Sequence, residues 1–436
     1  MKWSLILAAS IVAISGVLAA DYFIPDRVVT NTDAGRAAAE AERLAERIRT
    51  AEERAKDVKG LYMSADVAND RGRPATKLRE GIITLIDETE LNGVVIDVKE
   101  TRGGAIITDQ LKNLISTLHG KNAWVIARIA VFKDSSQEKA HPAWYLKWKD
   151  TRQPDPPAGQ ANGQGRIWND NRGGSWMDPA APEVWAYQLA VAKAASDAGF
   201  DEIQFDYIRF PSDGNVAAAV YPIFQPGQPK WGILRAFFRY LHDHLKEYRP
   251  DLILSADLFG YVALQQADLG IGQRLSDIGE NFNYVSLMVY PSHYYAGFQV
   301  TADPVRNLPA LFYPYRASNI ASTAANQPYD VVYRSLLIAG DVLAGRATTT
   351  DQNDRNVATS SPSSLASTSP GKIAKLRPWL QDFDLGVDTA RGIHYNAEKV
   401  RAQINAAKDA GASGWLLWSP TNTYTKEALR PEPPRQ

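Results

Sequence analysis

Residues 200–211 read FDEIQFDYIRFP, and this stretch decides the fold class. Its aromatic and β-branched residues predict a strand, and helical patterns precede it over residues 182–199 and follow it over residues 231–248. A strand between two helices is the repeating unit of a parallel sheet. Asp206 lies inside this apolar strand, where a carboxylate is costly to bury unless it has a partner or a task. The stretch therefore predicts both an α/β fold and a functional residue.

The same alternation of strands and helices extends in both directions. The predicted strands are residues 58–66, 93–100, 123–132, 202–210, 252–260, 284–291, 375–383 and 414–419. The predicted helices are residues 76–90, 109–119, 182–199, 231–248, 329–344 and 397–411. This pattern predicts a (β/α)8 TIM barrel over residues 58–425, with an open doubly wound sheet as the alternative. No predicted strand is followed by a glycine-rich phosphate loop, which disfavours the open sheet and a nucleotide cofactor.

The N-terminal residues 1–20 have the pattern of an export signal. Lys2 is followed by an apolar run over residues 5–17 and by the small residues Ala19 and Ala20. The run is shorter than the roughly 20 residues of a membrane-spanning helix. A cleaved signal peptide is therefore favoured over an uncleaved anchor. We expect a periplasmic or extracellular protein that is attached to the membrane only if residues 1–20 are retained.

Both flanks of the barrel have a biased composition. Residues 21–57 are predicted to be an exposed helical arm, because residues 37–56 are rich in Ala, Glu and Arg and carry one narrow apolar stripe. We expect this helix to stand apart from the barrel core, and the alternative is a solvated helix that leans on the main domain. Residues 426–436 are predicted to be a Pro-rich tail.

Two long insertions interrupt the alternation. Residues 133–181 follow the third strand and are rich in Pro, Gly, Asn and Trp. A connection after a strand emerges at the C-terminal end of the barrel, so we expect it to cover the mouth and bring a Trp near Asp206. Residues 347–370 are dominated by Ser, Thr, Asn and Asp and predict a polar surface loop.

Composition excludes several classes of function. The 48 Lys and Arg residues balance 49 Asp and Glu residues, and a net charge of -1 offers no field that would attract nucleic acid. The absence of Cys excludes disulfides, thiolate nucleophiles and Cys-ligated metals. The six His residues form neither H-E-x-x-H nor H-x-x-E-H, and G-x-S-x-G does not occur. We therefore expect no nucleic-acid partner, no metal and no cofactor.

Catalytic residues of TIM barrels project from the C-terminal ends of the strands. Asp206 and Asp257 end neighbouring strands and are the predicted catalytic pair, because two carboxylates serve as general acid and nucleophile on a glycosidic bond. The structural alternatives are an ion pair of Asp206 with Arg209 or Arg128, and an N-cap role for Asp257. The polar and aromatic residues at the predicted strand ends are Asp97, Lys99, Glu100, Arg128, Asp206, Tyr207, Arg209, Asp257, Tyr290, His293 and Trp418.

Nine segments together resemble one bacterial family of glycoside hydrolase-like (β/α)8 barrels. They are VKGLYMSAD, GVVIDVKE, ARIAVFKD, GGSWMDP, GFDEIQFDYIRFPSDG, SADLFGY, SLMVYPSHY, LRPWLQDFDL and GASGWLLWSP, within residues 58–420. The resemblance implies a glycosidase with a catalytic Asp at the end of the fourth strand, a position that Asp206 matches. For the second carboxylate Asp257 is preferred, with Glu100 in reserve.

The predicted function is that of an exported hydrolase acting on a polysaccharide or oligosaccharide. The arginines and the tyrosine are expected to orient the carboxylates, the histidine to hydrogen-bond the sugar and the tryptophans to stack on it, with a purely structural role as the alternative. The rival function is a non-catalytic saccharide-binding or envelope scaffold, whose carboxylates would be tied up in salt bridges. The predicted substrate-binding residues are Glu100, Arg128, Arg209, Tyr290, His293, Trp176 and Trp418.

Overall fold

Eight parallel strands close into a barrel in the computed structural model, which describes residues 31–149, 165–265, 268–346 and 373–431. Each strand pairs with the next, and the last pairs with the first. The chain therefore forms the predicted (β/α)8 barrel, and the alternative of an open sheet is wrong. The strands are β1 (Val58–Met63), β2 (Gly93–Lys99), β3 (Trp124–Ala130), β4 (Glu202–Asp206), β5 (Ile253–Phe259), β6 (Tyr284–Met288), β7 (Lys375–Leu376 and Trp379–Gln381) and β8 (Gly414–Trp418).

The helices follow the predicted pattern closely. They are α1 (Asn31–Arg54), α2 (Ala65–Asn69), α3 (Arg73–Glu88), α4 (Asp109–Gly120), α5 (Pro182–Asp197), α6 (Lys230–Tyr248), α7 (Tyr261–Gln265), α8 (Leu275–Gly279), α9 (Pro328–Leu343), α10 (Gly386–Thr389) and α11 (Ala397–Asp409). The six helices predicted between strands correspond to α3, α4, α5, α6, α9 and α11. The connection after β6 contains an antiparallel pair, Phe298–Val300 with Leu311–Tyr313, and a second pair joins Lys147–Trp148 to Ala219–Val220.

The barrel interior is lined by every second strand residue, because successive side chains point to opposite faces of a strand. β3 thus sends Trp124 and Arg128 inward. The lower opening, at the N-terminal ends of the strands, is closed by an ion pair of 2.8 Å between Glu202 and Arg377, which are both fully buried. Trp124 donates a hydrogen bond of 2.9 Å to the same carboxylate. The lower end therefore contains one buried acid matched to one buried base.

β7 is interrupted at Arg377 and Pro378. Proline has no backbone N–H to donate to a neighbouring strand, which accounts for the break. Arg377 lies in this gap, where its Nη2 donates a hydrogen bond of 2.6 Å to the carbonyl of Ala55. The interruption therefore ties the seventh strand to the chain segment that enters β1.

Residues 37–56 are helical, as predicted, since α1 ends at Arg54 and a 3-10 turn covers Ala55–Asp57. Ala55 is fully buried and packs with Ala51 against the lower barrel core. The expectation that this whole helix stands apart from the core is therefore wrong at its last turn. The chain divides into two compact units at Arg49. Within the first unit, residues 35–49 are largely exposed.

Closure of the barrel depends on Gly414, the first residue of β8. Its φ is +86°, and a Cβ built there would lie 2.1 Å from the carbonyl oxygen of Val58. No side chain fits at that distance, and the positive φ is strained for any residue with a Cβ. Glycine is therefore required where β8 pairs with β1.

Several predictions concern residues outside the described ranges. Residues 1–20 and 347–370 lie wholly outside them, as do residues 150–164 of the first insertion and residues 432–436 of the tail. None of the helices in the described ranges combines the length and apolar character that a membrane span requires.

Candidate active site

Arg128 lies at the centre of a group of acidic side chains at the upper end of the barrel interior, where the strands have their C-terminal ends. It is the register partner of Asp97 on β2, and its Nη1 donates a hydrogen bond of 2.6 Å to Oδ1 of that residue. Its Nη2 donates to Oδ2 of Asp206. Its Nε lies 3.4 Å from Oδ2 of Asp257, within ion-pair range. One guanidinium therefore faces Asp97, Asp206 and Asp257, which we call the carboxylate cluster.

The register of β4 and β5 explains why two predicted residues meet. Phe205 pairs with Ala256, so Asp206 and Asp257 come next on adjacent strands. Neighbouring strands lie about 4.8 Å apart, and two inward carboxylates at these positions are held close together. The structure thus brings the predicted catalytic pair together, with Arg128 bound to both.

Asp206 accepts hydrogen bonds at both carboxylate oxygens. Arg128 donates to Oδ2, and the backbone N–H of Tyr207 donates to Oδ1 at 2.5 Å. Tyr207 has a φ of +52°, a left-handed conformation that is strained for a residue with a side chain. The turn aims a backbone N–H at Asp206, and such strained positions cluster at functional sites. Asp206 is 5% exposed, so it lies at the inner edge of the mouth.

Asp257 lies in a different environment, although it is the neighbour of Asp206. Its Oδ1 accepts a hydrogen bond of 2.8 Å from Nε1 of Trp379, whereas its Oδ2 has no hydrogen-bond partner among the described residues. Burial and the nearby charge of Asp206 raise the pKa of Asp257 well above its ordinary value, against the opposing effect of Arg128. The raised pKa favours the protonated form of Asp257.

The sequence did not single out the third carboxylate and its supports as site residues. Asp97 was noted only as a polar strand end; burial raises its pKa, and the hydroxyl of Tyr62 donates to its Oδ2 at 2.7 Å. Arg128 lies over the ring of Tyr62 at 5.9 Å. Tyr62 and Trp379 fall within predicted strands, but an inward aromatic residue of a strand resembles ordinary core. Only the register of the closed barrel reveals them.

Glu100 lies one step outside the carboxylate cluster. It is half-buried, and its Oε1 accepts a hydrogen bond of 3.3 Å from the backbone of Ala65, at the start of α2. Burial and the charge of Asp97 raise the pKa of Glu100. The reserve acid is thus placed at the rim, with a raised pKa and greater exposure than Asp257.

An aromatic wall, formed by Tyr290, Phe383 and Trp418, lies beside the carboxylate cluster. The rings of Tyr290 and Trp418 stack at 5.8 Å, and Trp418 lies 6.0 Å from Tyr62. Trp418 is partly exposed and retains an open surface. His293 packs against the same wall through Phe383 at 5.5 Å, and burial lowers the pKa of His293 to about 4, with a smaller contribution from Arg172. A pKa in this range favours the neutral imidazole at neutral pH, which offers one donor and one acceptor to a sugar hydroxyl.

Two predicted substrate-binding residues are placed differently from the expectation. Trp176 is fully buried, with Nε1 bonded to Asp170, so it has no face for a sugar and instead supports Tyr207 at 6.1 Å. Arg209 lies over the ring of Trp176 at 4.7 Å and donates to the carbonyl of Phe210 at 3.0 Å. No hydrogen bond or ion pair joins Arg209 to Asp206 in the described residues, so this structural alternative for Asp206 does not form. Of the two ion pairs considered for Asp206, the one with Arg128 forms.

The described parts of the insertion pack beside the upper end of the barrel. Lys133 pairs with Trp176, and the backbone N–H of Met177 donates a hydrogen bond of 2.8 Å to the carbonyl of Phe132. Trp176 contacts Tyr207, the residue next to Asp206. The insertion therefore reaches the neighbourhood of Asp206, as predicted, but through a buried Trp. In the described ranges no group of three or more His, Cys, Asp and Glu is arranged to hold a metal ion.

Residues 60–424 match the model of a family described as "putative glycosyl hydrolase domain". The chain belongs to this family. A solved structure titled as the PgaB (BpsB) glycoside hydrolase domain from Bordetella bronchiseptica is 13% identical, with a TM-score of 0.51 over 84% of this chain and 95% of that one. At this identity the likeness shows the fold, which the glycosyl hydrolase family shares with this domain.

A second solved structure, a hypothetical protein from Ruminiclostridium thermocellum, is 28% identical over 45% of this chain and 96% of its own, with a TM-score of 0.35. A third, the spore cortex-lytic enzyme SleL from Bacillus cereus, is 10% identical over 86% of this chain and 73% of that chain, with a TM-score of 0.42. A search of the curated proteins finds no match. The family match over residues 60–424 supports a glycosidase-like function for the chain.

Proposed function

We propose that this family member is an exported enzyme that hydrolyses glycosidic bonds of a polysaccharide with two carboxylates. The observation that carries the proposal is the unequal environment of Asp206 and Asp257. Asp206 accepts a hydrogen bond at each carboxylate oxygen, whereas Asp257 has a raised pKa, and its Oδ2 accepts no hydrogen bond and has only the ion-pair contact with Arg128. Neighbouring carboxyl groups that differ in this way supply a nucleophile and an acid from one residue type.

In the proposed reaction Asp206 attacks the anomeric carbon or stabilises its developing positive charge. Asp257 gives its proton to the leaving oxygen, so that the bond between sugar and leaving group breaks without releasing an alkoxide. A water molecule then attacks the anomeric carbon and gives its proton to Asp257, which releases the sugar and restores both carboxyl groups. Arg128 keeps Asp206 in place, and Trp379 fixes the orientation of Asp257 through its N–H. Trp418 offers an aromatic face for the sugar ring beside the cluster.

One observation favours the rival function. Arg128 contacts all three members of the carboxylate cluster, and Asp257 is only 1% exposed. In a non-catalytic saccharide-binding barrel the same contacts would only brace the upper end of the strands. The two functions differ already in the wild-type protein, because a non-catalytic barrel releases no reducing ends, and loss of the Asp206 charge would change only its stability.

The deciding experiment is a reducing-end assay of the purified protein on a panel of envelope polysaccharides. We expect release of reducing ends from at least one polymer and its loss in Asp206→Asn, with the circular dichroism spectrum retained. The matched control is Asp243→Asn, which removes the same charge from the outer surface of α6 and should leave turnover unchanged. Wild-type turnover in Asp206→Asn, or no release from any polymer, contradicts the proposal.

Export is part of the proposal and rests on the pattern of residues 1–20. We propose that the protein acts in the periplasm or outside the cell. Fractionation of cells that produce the full chain should place it in the periplasmic or secreted fraction, or in the membrane fraction if the segment is retained. Recovery in the cytoplasmic fraction contradicts this part.

A further inference from the structure

Asp170, in the insertion after β3, uses both of its carboxylate oxygens to hold other parts of that insertion. Its Oδ1 accepts hydrogen bonds from the backbone N–H groups of Arg172 at 3.0 Å and Gly174 at 2.8 Å. Its Oδ2 accepts one of 3.0 Å from Nε1 of Trp176 and lies 2.7 Å from Nζ of Lys133. Burial alone would raise the pKa of Asp170, but the contacts with Lys133 and Trp176 lower it, so the buried side chain stays ionised.

The two side chains that bind Asp170 both contact the ring of Tyr207. Nζ of Lys133 lies 5.6 Å from the centre of the ring, and Trp176 packs against it at 6.1 Å with an interplanar angle of 66°. Arg209 also lies over the ring, at 5.6 Å. Asp170 therefore fixes two of the three groups that hold this ring in place.

The backbone of Tyr207 is in a conformation that needs such support. Its φ of +52° is strained for a residue with a side chain, and a strained residue keeps its conformation only where surrounding contacts hold it. Its N–H donates the hydrogen bond of 2.5 Å to Oδ1 of Asp206. Rotation of the peptide plane between Asp206 and Tyr207 would relax the positive φ and turn this N–H away. The position of the Asp206 carboxylate thus depends on the ring of Tyr207.

We propose that Asp170 is a positioning residue for Asp206. The ion pair with Lys133 and the hydrogen bond from Trp176 hold the ring of Tyr207. The ring in turn holds the peptide plane whose N–H donates to Asp206. Asp170 touches neither the sugar nor the reacting atoms. Its role rests on the proposed function, in which it gives the insertion the task of aligning the carboxylate that meets the anomeric carbon.

Hydrogen exchange at the backbone amide of Tyr207 tests this role without a substrate. The purified protein is labelled with 15N-tyrosine, and the Tyr207 resonance is assigned by its absence in Tyr207→Phe. In Asp170→Asn the counter-charge of Lys133 is lost, and one accepting oxygen is replaced by an N–H₂ group that only donates. We expect the Tyr207 amide to exchange at least about tenfold faster than in wild type. An unchanged exchange rate overturns the positioning role.

Asp178→Asn is the matched control, because it changes another buried carboxyl group of the same insertion. Asp178 accepts hydrogen bonds from the backbone N–H groups of Ala180, Ile223 and Phe224. No hydrogen bond or ion pair joins it to Tyr207 or to the carboxylate cluster in the described residues. The control should leave both the exchange of the Tyr207 amide and kcat per folded molecule unchanged, even where it lowers the melting temperature.

Kinetics of the same variants connect the contact to turnover. Asp170→Asn should lower kcat by roughly 10- to 100-fold and change KM by less than about threefold, because a misplaced carboxylate affects the transition state and not substrate binding. Lys133→Met, which removes the ion pair from its other side, should lower kcat in the same way. Lys133→Arg keeps the charge and should recover most of the rate.

Tyr207→Gly distinguishes positioning from a purely structural role. Glycine adopts a positive φ without strain and has no ring for Lys133 and Trp176 to hold. If Asp170 acts through that ring, Asp170→Asn causes no further loss of kcat in the Tyr207→Gly background. Losses of kcat that multiply in the double variant overturn the positioning role.

The outcomes separate the positioning role from the proposed function. Wild-type kcat in Asp170→Asn, or an equal loss of kcat in Asp178→Asn, overturns the role of Asp170 while the glycosidase proposal stands. If the wild-type protein releases reducing ends from no polymer, the proposed function is overturned and the role in turnover with it, whatever the exchange rate of the Tyr207 amide.

Discussion

The two ends of the barrel interior treat buried charge in opposite ways. At the lower end Glu202 and Arg377 form a fully buried pair of one acid and one base, and Trp124 satisfies the same carboxylate. At the upper end Arg128 faces three carboxylates, so the acids outnumber the base. A matched pair leaves no charged group free for a ligand. In an unmatched cluster the excess carboxylates change the protonation of its members, which is common at catalytic sites. The contrast supports the proposal that the upper end is the reactive one.

The first prediction concerns the negative charge of Asp206 at the upper end of the barrel. Asp206→Asn should lower kcat by roughly 10³-fold or more, because the amide keeps the shape but loses the charge that meets the anomeric carbon. The fold should survive, since Asp97 and Asp257 remain as partners for Arg128. The measurement is initial-rate kinetics beside a thermal melt. A kcat close to wild type would place the chemistry elsewhere.

The second prediction concerns the negative charge of Glu202, which is paired with Arg377 at the lower end of the barrel. Glu202→Gln should reduce the free energy of unfolding by about 3–5 kcal/mol, because it leaves Arg377 buried without a counter-charge. Turnover per folded molecule should be unchanged. Denaturant unfolding and active-fraction kinetics measure the two quantities. A variant as stable as wild type, or one that is folded but inactive, would erase the contrast between the two ends.

The third prediction concerns pH. Because the pKa of Asp257 is raised in the folded state, the native protein holds this proton after the unfolded chain has lost it. The stabilising effect is complete below the unfolded pKa of about 4 and is lost as the pH rises through the folded pKa, at up to about 1.4 kcal/mol per pH unit. Asp257→Asn cannot ionise, so unfolding free energies should diverge from wild type with pH. Parallel curves from pH 4 to 9 would show that Asp257 has an ordinary pKa.

The smallest effect is expected at the aromatic wall. Trp418→Ala should raise KM by roughly tenfold and change kcat by less than about threefold, because stacking binds ground state and transition state alike. Trp418→Phe should recover part of the loss. A collapse of kcat with unchanged KM would instead give Trp418 a role in the chemical step.

Much of this arrangement follows from the sequence. The eight strands and six helices were predicted because their apolar periodicity is strong, and Asp206, Arg128 and Asp257 meet because strand ends in a closed barrel share one mouth. The alternative pairing of Asp206 with Arg209 does not form: Tyr207 between them has a positive φ, and Arg209 lies over the ring of Trp176 instead. A sequence pattern does not reveal a left-handed residue other than Gly, Asn or Asp.

Other features needed the closed barrel itself. Tyr62 and Trp379 join the site through contacts between strands that are far apart in sequence, Tyr62 with Asp97 and Trp379 with Asp257. Trp176 was predicted to stack on the sugar, with a structural role as the alternative, and it is buried beneath Tyr207. Burial of a loop residue depends on how the loop packs against the barrel, and the amino-acid composition of the loop does not predict that packing.

The most direct test of the central claim is the pH dependence of kcat for wild type, Asp257→Asn and Glu100→Gln. If the unmatched cluster supplies the proton, wild-type kcat falls on the alkaline side as Asp257 ionises. Asp257→Asn should then be slow and lack that alkaline limb, while Glu100→Gln keeps both the rate and the limb. A fast Asp257→Asn with a wild-type profile, together with a Glu100→Gln that loses the limb, would contradict the claim by moving the acid from the cluster to the rim.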